Sequence, residues 1–395
     1  MAHAVESVSA APRDLRAVAE EIAAEVAAPN ADSVDRQSRF PEEAISALRG
    51  ARLLSAYVPR SLGGEGCSVG DLIEMCQSLG EHCASTAMIF AMHQIEVACL
   101  VHHGLPSAWF SAYLQRLAAG QRLVASVTSE VGVGGSMRTS VCAVERQHEL
   151  FRLVKDATTI SYGVQADDLL VTARAASDSA PGDQVLLLLQ KQDYQLKRLG
   201  TWDALGMRGT CSAGGLLEAV ASGEQILATP FADIAAETMV PVSHLLWSAV
   251  WCGIASSAVG RAAASVRAEA RRKPGTTPPA ALRLAEVHAE LQAMRSSIGA
   301  MAEEYQEIRA RPGAAAELSG MAFALRINNL KVNASRAVSR IVEAALQICG
   351  IHGYKNDSPF SVGRHLRDAL SASLMVANDR IYAANASLLL VQKDI

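Results

Sequence analysis

Two short segments combine hydroxyls and glycines in a spacing suited to holding a flat polar ring. In Ser126-Val127-Thr128-Ser129-Glu130-Val131-Gly132-Val133-Gly134-Gly135 the glycines allow close backbone approach and expose N–H donors, and Ser129 offers a hydroxyl to a carbonyl or ring nitrogen. Thr159-Ile160-Ser161-Tyr162-Gly163-Val164-Gln165-Ala166-Asp167 carries a second hydroxyl at Ser161. Arg271, in Arg271-Arg272-Lys273-Pro274-Gly275, presents the planar fork of donors that suits a diphosphate. For proton transfer the candidates are His93 and His244, whose ordinary pKa of about 6.5 suits a base, and Asp379. Taken singly, each has a plainer reading: a turn, a Thr-rich strand, a solvated surface charge, a helix cap, or a satisfied polar group in a helical interior.

The elements that must position these residues are mainly helical. At 395 residues the chain exceeds what one core usually serves. Half of it is hydrophobic, only 5% is aromatic, and Ala-rich stretches recur at both ends, a balance that favours helices over sheet. A formal net charge of -4, with no run of Lys and Arg among aromatics, argues against a nucleic-acid partner. The eight cysteines stand at scattered spacings with no CxxC pair, which suggests reduced thiols in a cytoplasmic protein and no metal site. The apolar stretches Ala84–Ala91 and Leu245–Gly260 fall short of the roughly 20 residues that span a bilayer, so no membrane segment is expected.

Three regions follow from periodicity. From Pro12 to about Arg122 (residues 1–122) the pattern is helical, with Leu15, Val18, Ala19, Ile22 and Val26 at helical spacing and Pro41-Glu42-Glu43 opening a further helix. Residues 123–235 hold short runs rich in Val, Leu and Thr (Leu123–Ser129, Glu149–Val154, Leu169–Ala173, Gln184–Leu189), the signature of a small antiparallel β domain. Residues 236–395 return to long helices, Leu245–Arg271, Ala280–Arg309, Glu317–Ile348 and about Leu366–Val391, which predict a four-helix bundle.

With this layout, the two segments above resemble the acyl-CoA dehydrogenase superfamily's Thr-Glu-Pro-Gly-Ala-Gly-Ser loop and Trp-Ile-Thr-Asn-Gly strand. Three further motifs are similar to that family's: Asp203-Ala204-Leu205-Gly206-Met207-Arg208-Gly209-Thr210, Ala345-Leu346-Gln347-Ile348-Cys349-Gly350-Ile351-His352-Gly353-Tyr354, and Arg364-His365-Leu366-Arg367-Asp368-Ala369. The resemblance covers nearly the whole chain and implies an α+β, mainly α fold: N-terminal helical domain, middle β domain, C-terminal four-helix bundle. It also implies FAD, held by Ser129, Gly134, Gly135, Thr159 and Ser161, with Asn378 and Arg380 beside it. Arg271, Gln347 and Gly350 would reach a partner subunit's FAD, which makes the active unit a homodimer or homotetramer. Thr159 stands where the family usually has a flavin-covering Trp, Pro274 where it has Phe, and Ile351 where it has Gly. The Asp203–Thr210 segment takes a structural role.

The family's catalytic Glu usually comes seven residues after the Ala of Arg-Asp-Ala; here that residue is Val376. A minority of members take the Glu from the first bundle helix, where this chain has Ser243. The resemblance therefore implies either oxidation of an acyl thioester, on CoA or a carrier protein, with a relocated base among Asp379, His244 and His93, or a flavin-dependent monooxygenase of the same fold. A non-catalytic scaffold is the remaining alternative.

Overall fold

The computed structural model describes residues 13–392; Pro12, where the expected helical block begins, lies outside them. Six helices come first: α1 (Leu15–Ile22), α2 (Ala28–Gln37), α3 (Glu42–Gly50), α4 (Val69–His82), α5 (Ala84–Gly104) and α6 (Ala108–Gly120). Local chemistry sets several starts. Asp14 caps α1, and a reciprocal pair opens α4, where the Asp71 amide donates to Ser68 Oγ (3.1 Å) and the Ser68 amide donates to Asp71 Oδ2 (2.8 Å).

The strands are β1 (Val124–Val127), β2 (Glu145–Gln147), β3 (Leu150–Ala157), β4 (Asp168–Arg174), β5 (Gln184–Gln190), β6 (Tyr194–Leu199) and β7 (Gly214–Ser222). They form two sheets, β1-β4-β5 and β2-β3-β7-β6. The expectation of an all-antiparallel region needs correction, because β1 pairs with β4 in parallel, Val124 opposite Asp168. The chain between them crosses to the other sheet as β2 and β3, and such a long crossover is what a parallel pair requires. β7 was not foreseen: two glycines open it and a Glu interrupts its apolar alternation, yet every second residue from Gly215 to Ala221 is buried.

The remaining helices are α7 (Phe231–Ile234), α8 (Val240–Arg272), α9 (Ala280–Arg309), α10 (Ala314–Leu318), α11 (Met321–Cys349), α12 (Ile351–Tyr354), α13 (Gly363–Leu370) and α14 (Asn378–Leu389). α11 buries Phe323, Ile327, Leu330, Ala334, Val338, Ile341 and Ala345, one stripe at helical period. α8 is the central helix and packs against α4, α5, α9 and α11. Its crossing with α4 is made by glycines: a Cβ on Gly253 would stand 2.3 Å from Gln77 O, and one on Gly80 would stand 2.7 Å from Val250 O. α5 and the continuous helical stretch Phe231–Arg272 that contains α7 and α8 are long and apolar enough to cross a membrane, but 94% and 83% of their most apolar windows are buried inside the protein.

Two expected helices are each divided. The span 317–348 breaks at Ser319-Gly320, and 366–391 breaks over 371–377, where Val376 adopts a left-handed φ of 46°. Asp379 is therefore not one turn along a continuous helix from Val376; it lies in the first turn of α14.

Three regions are clasped together by charge. Arg367 pairs with Asp35 of α2, Asp368 accepts the Met207 amide at 2.7 Å, and Arg208 Nε donates to Asp35 O at 2.8 Å. The 203–210 and 364–369 motifs thus hold each other, and a Cβ on Gly206 would collide with Arg367 O. A second clasp sets the β1–β4 register. The carboxylate of Asp168, fully buried, accepts from Arg122 Nη2 (2.6 Å) and from the Tyr113 hydroxyl (2.7 Å). Asp168→Ala is expected to cost about 3 kcal/mol, the low end for breaking a buried pair because the Arg122 side chain is 28% exposed. The urea midpoint would fall with its slope unchanged.

Candidate functional site

The site is built on β1, which two side chains, His93 and Tyr162, fix from behind. His93 of α5 is fully buried; its Nδ1 accepts the Val124 amide (3.0 Å), and Nε2 lies 2.7 Å from Leu54 O. Only the neutral Nε2–H tautomer meets both bonds, and burial pulls the pKa down to about 4. His93 is therefore not a base: both nitrogens are already used. The Tyr162 hydroxyl donates to Val124 O at 3.0 Å.

The two hydroxyl-bearing segments meet beyond β1. Ser129 Oγ donates to Thr159 O at 2.6 Å and accepts the Thr159 amide at 3.0 Å, so one side chain latches the glycine loop to the second segment. Glu130 anchors the same loop from below, accepting from Ser140 Oγ (2.6 Å) and the Val141 amide (3.1 Å), with buried Lys155 3.5 Å away. Thr159 is exposed and Ser161 half-buried, its hydroxyl 2.8 Å from Ser212 Oγ. Gly134 and Gly135 have φ values of 59° and 76°, are exposed, and bring the loop against α14, where a Cβ on Gly135 would stand 2.6 Å from Arg380 Nη1.

Ser243 and Val376, where the resemblance places a base, are held by other contacts. The Ser243 hydroxyl donates to Val240 O at 2.9 Å, and the Val376 carbonyl accepts from Lys331 Nζ at 2.9 Å. Lys331 also donates to Asn378 Oδ1 (2.7 Å) and lies 5.7 Å from the Trp251 ring centroid; burial lowers its pKa to about 8. Asn378 faces inward to Lys331 and Ser335, which takes its side chain out of the expected cofactor contacts. His244 is buried, 3.3 Å from Ser243 Oγ, and burial with Lys331 nearby pulls its pKa down to about 3, too low for an effective base near neutrality. Asp379 is exposed.

Arg271, Gln347 and Gly350 are exposed at the C-terminal ends of α8 and α11, and none shares a hydrogen bond with Ser129, Thr159 or Ser161 among the described residues. Gly350 adopts φ 56°, ψ −138°, a conformation that L side chains rarely take. An open cleft of about 490 Å³ borders the second segment, lined by Val164 and Gln165 with Arg39, Trp202 and Arg208, and another of about 580 Å³ lies apart, lined by Tyr57, Arg60 and Arg309. Among the described residues no group of three or more His, Cys, Asp or Glu side chains is placed to hold a metal ion.

The sequence model for the acyl-CoA dehydrogenase N-terminal domain matches residues 9–121, and that for the C-terminal domain matches residues 234–376. The chain belongs to the acyl-CoA dehydrogenase family. It is 24% identical over 369 residues to a cyclohex-1-ene-1-carbonyl-CoA dehydrogenase from Geobacter metallireducens, covering 91% of this chain and 93% of the relative. Its fold superposes on FMN-bound TdsC from Paenibacillus sp. A11-2 with a TM-score of 0.82 at 20% identity, covering 96% of this chain and 97% of TdsC. Butyryl-CoA dehydrogenase from Megasphaera elsdenii superposes with a TM-score of 0.81 at 19% identity, covering 98% and 100%.

Members of this family are flavin-dependent, and the protein is a flavin oxidoreductase. The residues present fit such a group. The amides of Gly134 and Gly135 donate to nothing within the described residues, the space a Gly134 Cβ would enter is open, and Thr159 and Ser161 stand alongside through the Ser129 latch.

One functional candidate was missed in the sequence. Glu96 is the only acid in the 21 residues of α5, and that lone charge in an apolar helix was the available signal. It is 3% exposed, its Oε2 has no partner, and burial raises its pKa to about 8. α5 and α8, which pack together, hold five more partnerless buried polar atoms, Thr86 Oγ1, Gln94 Oε1, Trp247 Nε1, Ser248 Oγ and Trp251 Nε1.

The His93 bridge sets an acid limit. Its folded pKa of about 4 lies below the ordinary 6.5, so between those values the unfolded chain holds the extra proton and stability falls as pH falls. His93→Gln should cost about 1–3 kcal/mol at pH 7, from the lost buried bonds. In thermal melts the gap to wild type should narrow steadily from pH 6.5 to pH 4.5.

Proposed function

We propose that this protein is an FAD-dependent oxidoreductase that oxidises a CH–CH bond in an acyl thioester, carried on CoA or a carrier protein, with its proton acceptor relocated. The observation that carries the reading is the Ser129–Thr159 latch, which makes the thioester-side loop and the flavin-side segment one surface. A CoA-thioester dehydrogenase aligned over 91% of the chain supports it. Bound FAD would supply the two-electron acceptor. Ser129, Gly134, Gly135, Thr159, Ser161 and Arg380 would hold it, and the Ser161 hydroxyl would orient the ring. The protein's own task is then to orient the thioester, exclude water and accept one proton.

A second reading, a flavin-dependent monooxygenase, is favoured by the exposed Thr159 in place of a covering Trp and by Lys331 beneath Val376 where a carboxylate is usual. Loss of flavin colour on anaerobic addition of an acyl-CoA is the expected outcome for the first reading. If colour is lost only with an external reductant, and O2 is then consumed with oxygen appearing in a product, the second replaces it.

Arg271, Gln347 and Gly350 are exposed on one chain and in this reading complete a partner's FAD site. Light scattering on the yellow protein should give a dimer or tetramer, with Gln347→Ala releasing FAD more readily. A monomer that retains FAD would refute the shared site.

A further inference from the structure

The cleft of about 580 Å³ lies where the loop 57–69, the end of α5 and the end of α9 meet, and none of the flavin-side residues lines it. We propose that it is a binding site for a small organic carboxylate with an apolar body, held by Arg309, Arg60 and the Tyr305 hydroxyl. This assignment goes beyond the redox reading and does not depend on it.

The charge of the cleft is one-sided. Arg60 and Arg309 line it, and no Asp or Glu does. The half-buried Arg309 guanidinium has one hydrogen bond among the described residues, from Nη2 to Thr238 Oγ1 at 3.3 Å, and no ion pair. Glu237, whose charged form Arg309 favours, makes no ion pair with it. Arg60 Nε donates to Glu65 O at 3.0 Å, which leaves its terminal nitrogens without partners among the described residues. The two histidines behind the cleft add no charge. His102 Nε2 lies 2.8 Å from the Tyr57 hydroxyl and His103 Nε2 lies 2.8 Å from Thr238 Oγ1. Burial pulls their pKa values down to about 3 and about 4, so both rings are neutral near pH 7.

Tyr305 supplies a second, independent observation. It forms part of the cleft wall and is fully buried, and its hydroxyl has no hydrogen-bond partner among the described residues. Burial raises its pKa, so the group remains a donor. A buried donor is costly to leave unmet, and a carboxylate has oxygens enough to accept from it and from a guanidinium together.

The rest of the wall calls for more than an inorganic anion. Pro59, Val69, Val101, Ala310 and the Tyr57 ring also line the cleft, and Tyr57 meets the His102 ring edge-on with centroids 5.6 Å apart. Phosphate would leave these apolar surfaces wet, whereas an aromatic or aliphatic body would cover them. The volume of about 580 Å³ falls among small-molecule sites, which span roughly 300–1,000 Å³.

Calorimetry on the yellow holoprotein tests this with benzoate and octanoate as carboxylates, benzamide as the neutral counterpart of benzoate, and inorganic phosphate. At least one carboxylate should bind, with benzamide and phosphate about tenfold weaker or more. Arg309→Met should weaken the carboxylate by about tenfold or more, and Tyr305→Phe by about fivefold to tenfold. Because the Tyr305 hydroxyl has no partner in the free protein, Tyr305→Phe should leave the melting temperature without ligand unchanged or higher, while the rise given by saturating carboxylate shrinks. A merely structural hydroxyl would give the reverse. Tyr305→Phe removes a single atom and carries the comparison even if Arg309→Met fails to fold. The proposal is overturned if neither carboxylate binds wild type at about 10 mM, far weaker than ordinary small-molecule affinity. It is equally overturned if phosphate or benzamide binds as tightly as the carboxylate, or if Tyr305→Phe leaves carboxylate affinity unchanged.

Discussion

A single neutral imidazole fixes the geometry on which the rest of the site depends. His93 joins the Leu54 carbonyl in the N-terminal region to the Val124 amide at the start of β1, and it can do so only while uncharged. Burial provides that condition, since the charged form would lose both hydration and one of its two partners. Through this bridge α5 and β1 are held in register, and Ser126, Ser129 and Glu96 acquire their positions together. The residue that looks most like a base in the sequence is thereby made the least available one.

The surrounding structure shows the same economy of polar groups at its joints. Asp35, Arg208, Arg367 and Asp368 tie the first helices, the β region and the end of the helical bundle at one point. Asp168 does the same for α6, β1 and β4 through Arg122 and Tyr113. Asp168 meets two donor side chains, Asp368 the Met207 amide and Asp35 the Arg367 guanidinium; removing one donor or acceptor would leave its partner desolvated and unpaired.

At the place where the family usually carries its Glu, the local electrostatics are inverted. Lys331 presents an ammonium to the Val376 carbonyl and to Asn378, and the chain there leaves the helix in a left-handed turn. A carboxylate at 376 would sit beside that cation and have its pKa lowered, so the substitution and its setting are consistent with each other.

Much of this protein was fixed by its residues in order. Helical period, the shift to short β-rich runs after Leu123, and the motifs from Ser126 to Ala369 suffice for the family, the mainly helical fold and the flavin, because they depend on local pattern and spacing. The identities at Val376 and Ser243 are equally legible. Tertiary structure alone decided which polar side chains are already engaged. Whether a buried histidine is free or spent depends on which carbonyl and amide face it, Leu54 and Val124, from 39 and 31 residues away. The parallel β1–β4 pairing, the inward turn of Asn378 and the unmet oxygen of Glu96 likewise arise from contacts between distant segments. No local period encodes such contacts, because burial and hydrogen-bond partnership are properties of the packed chain.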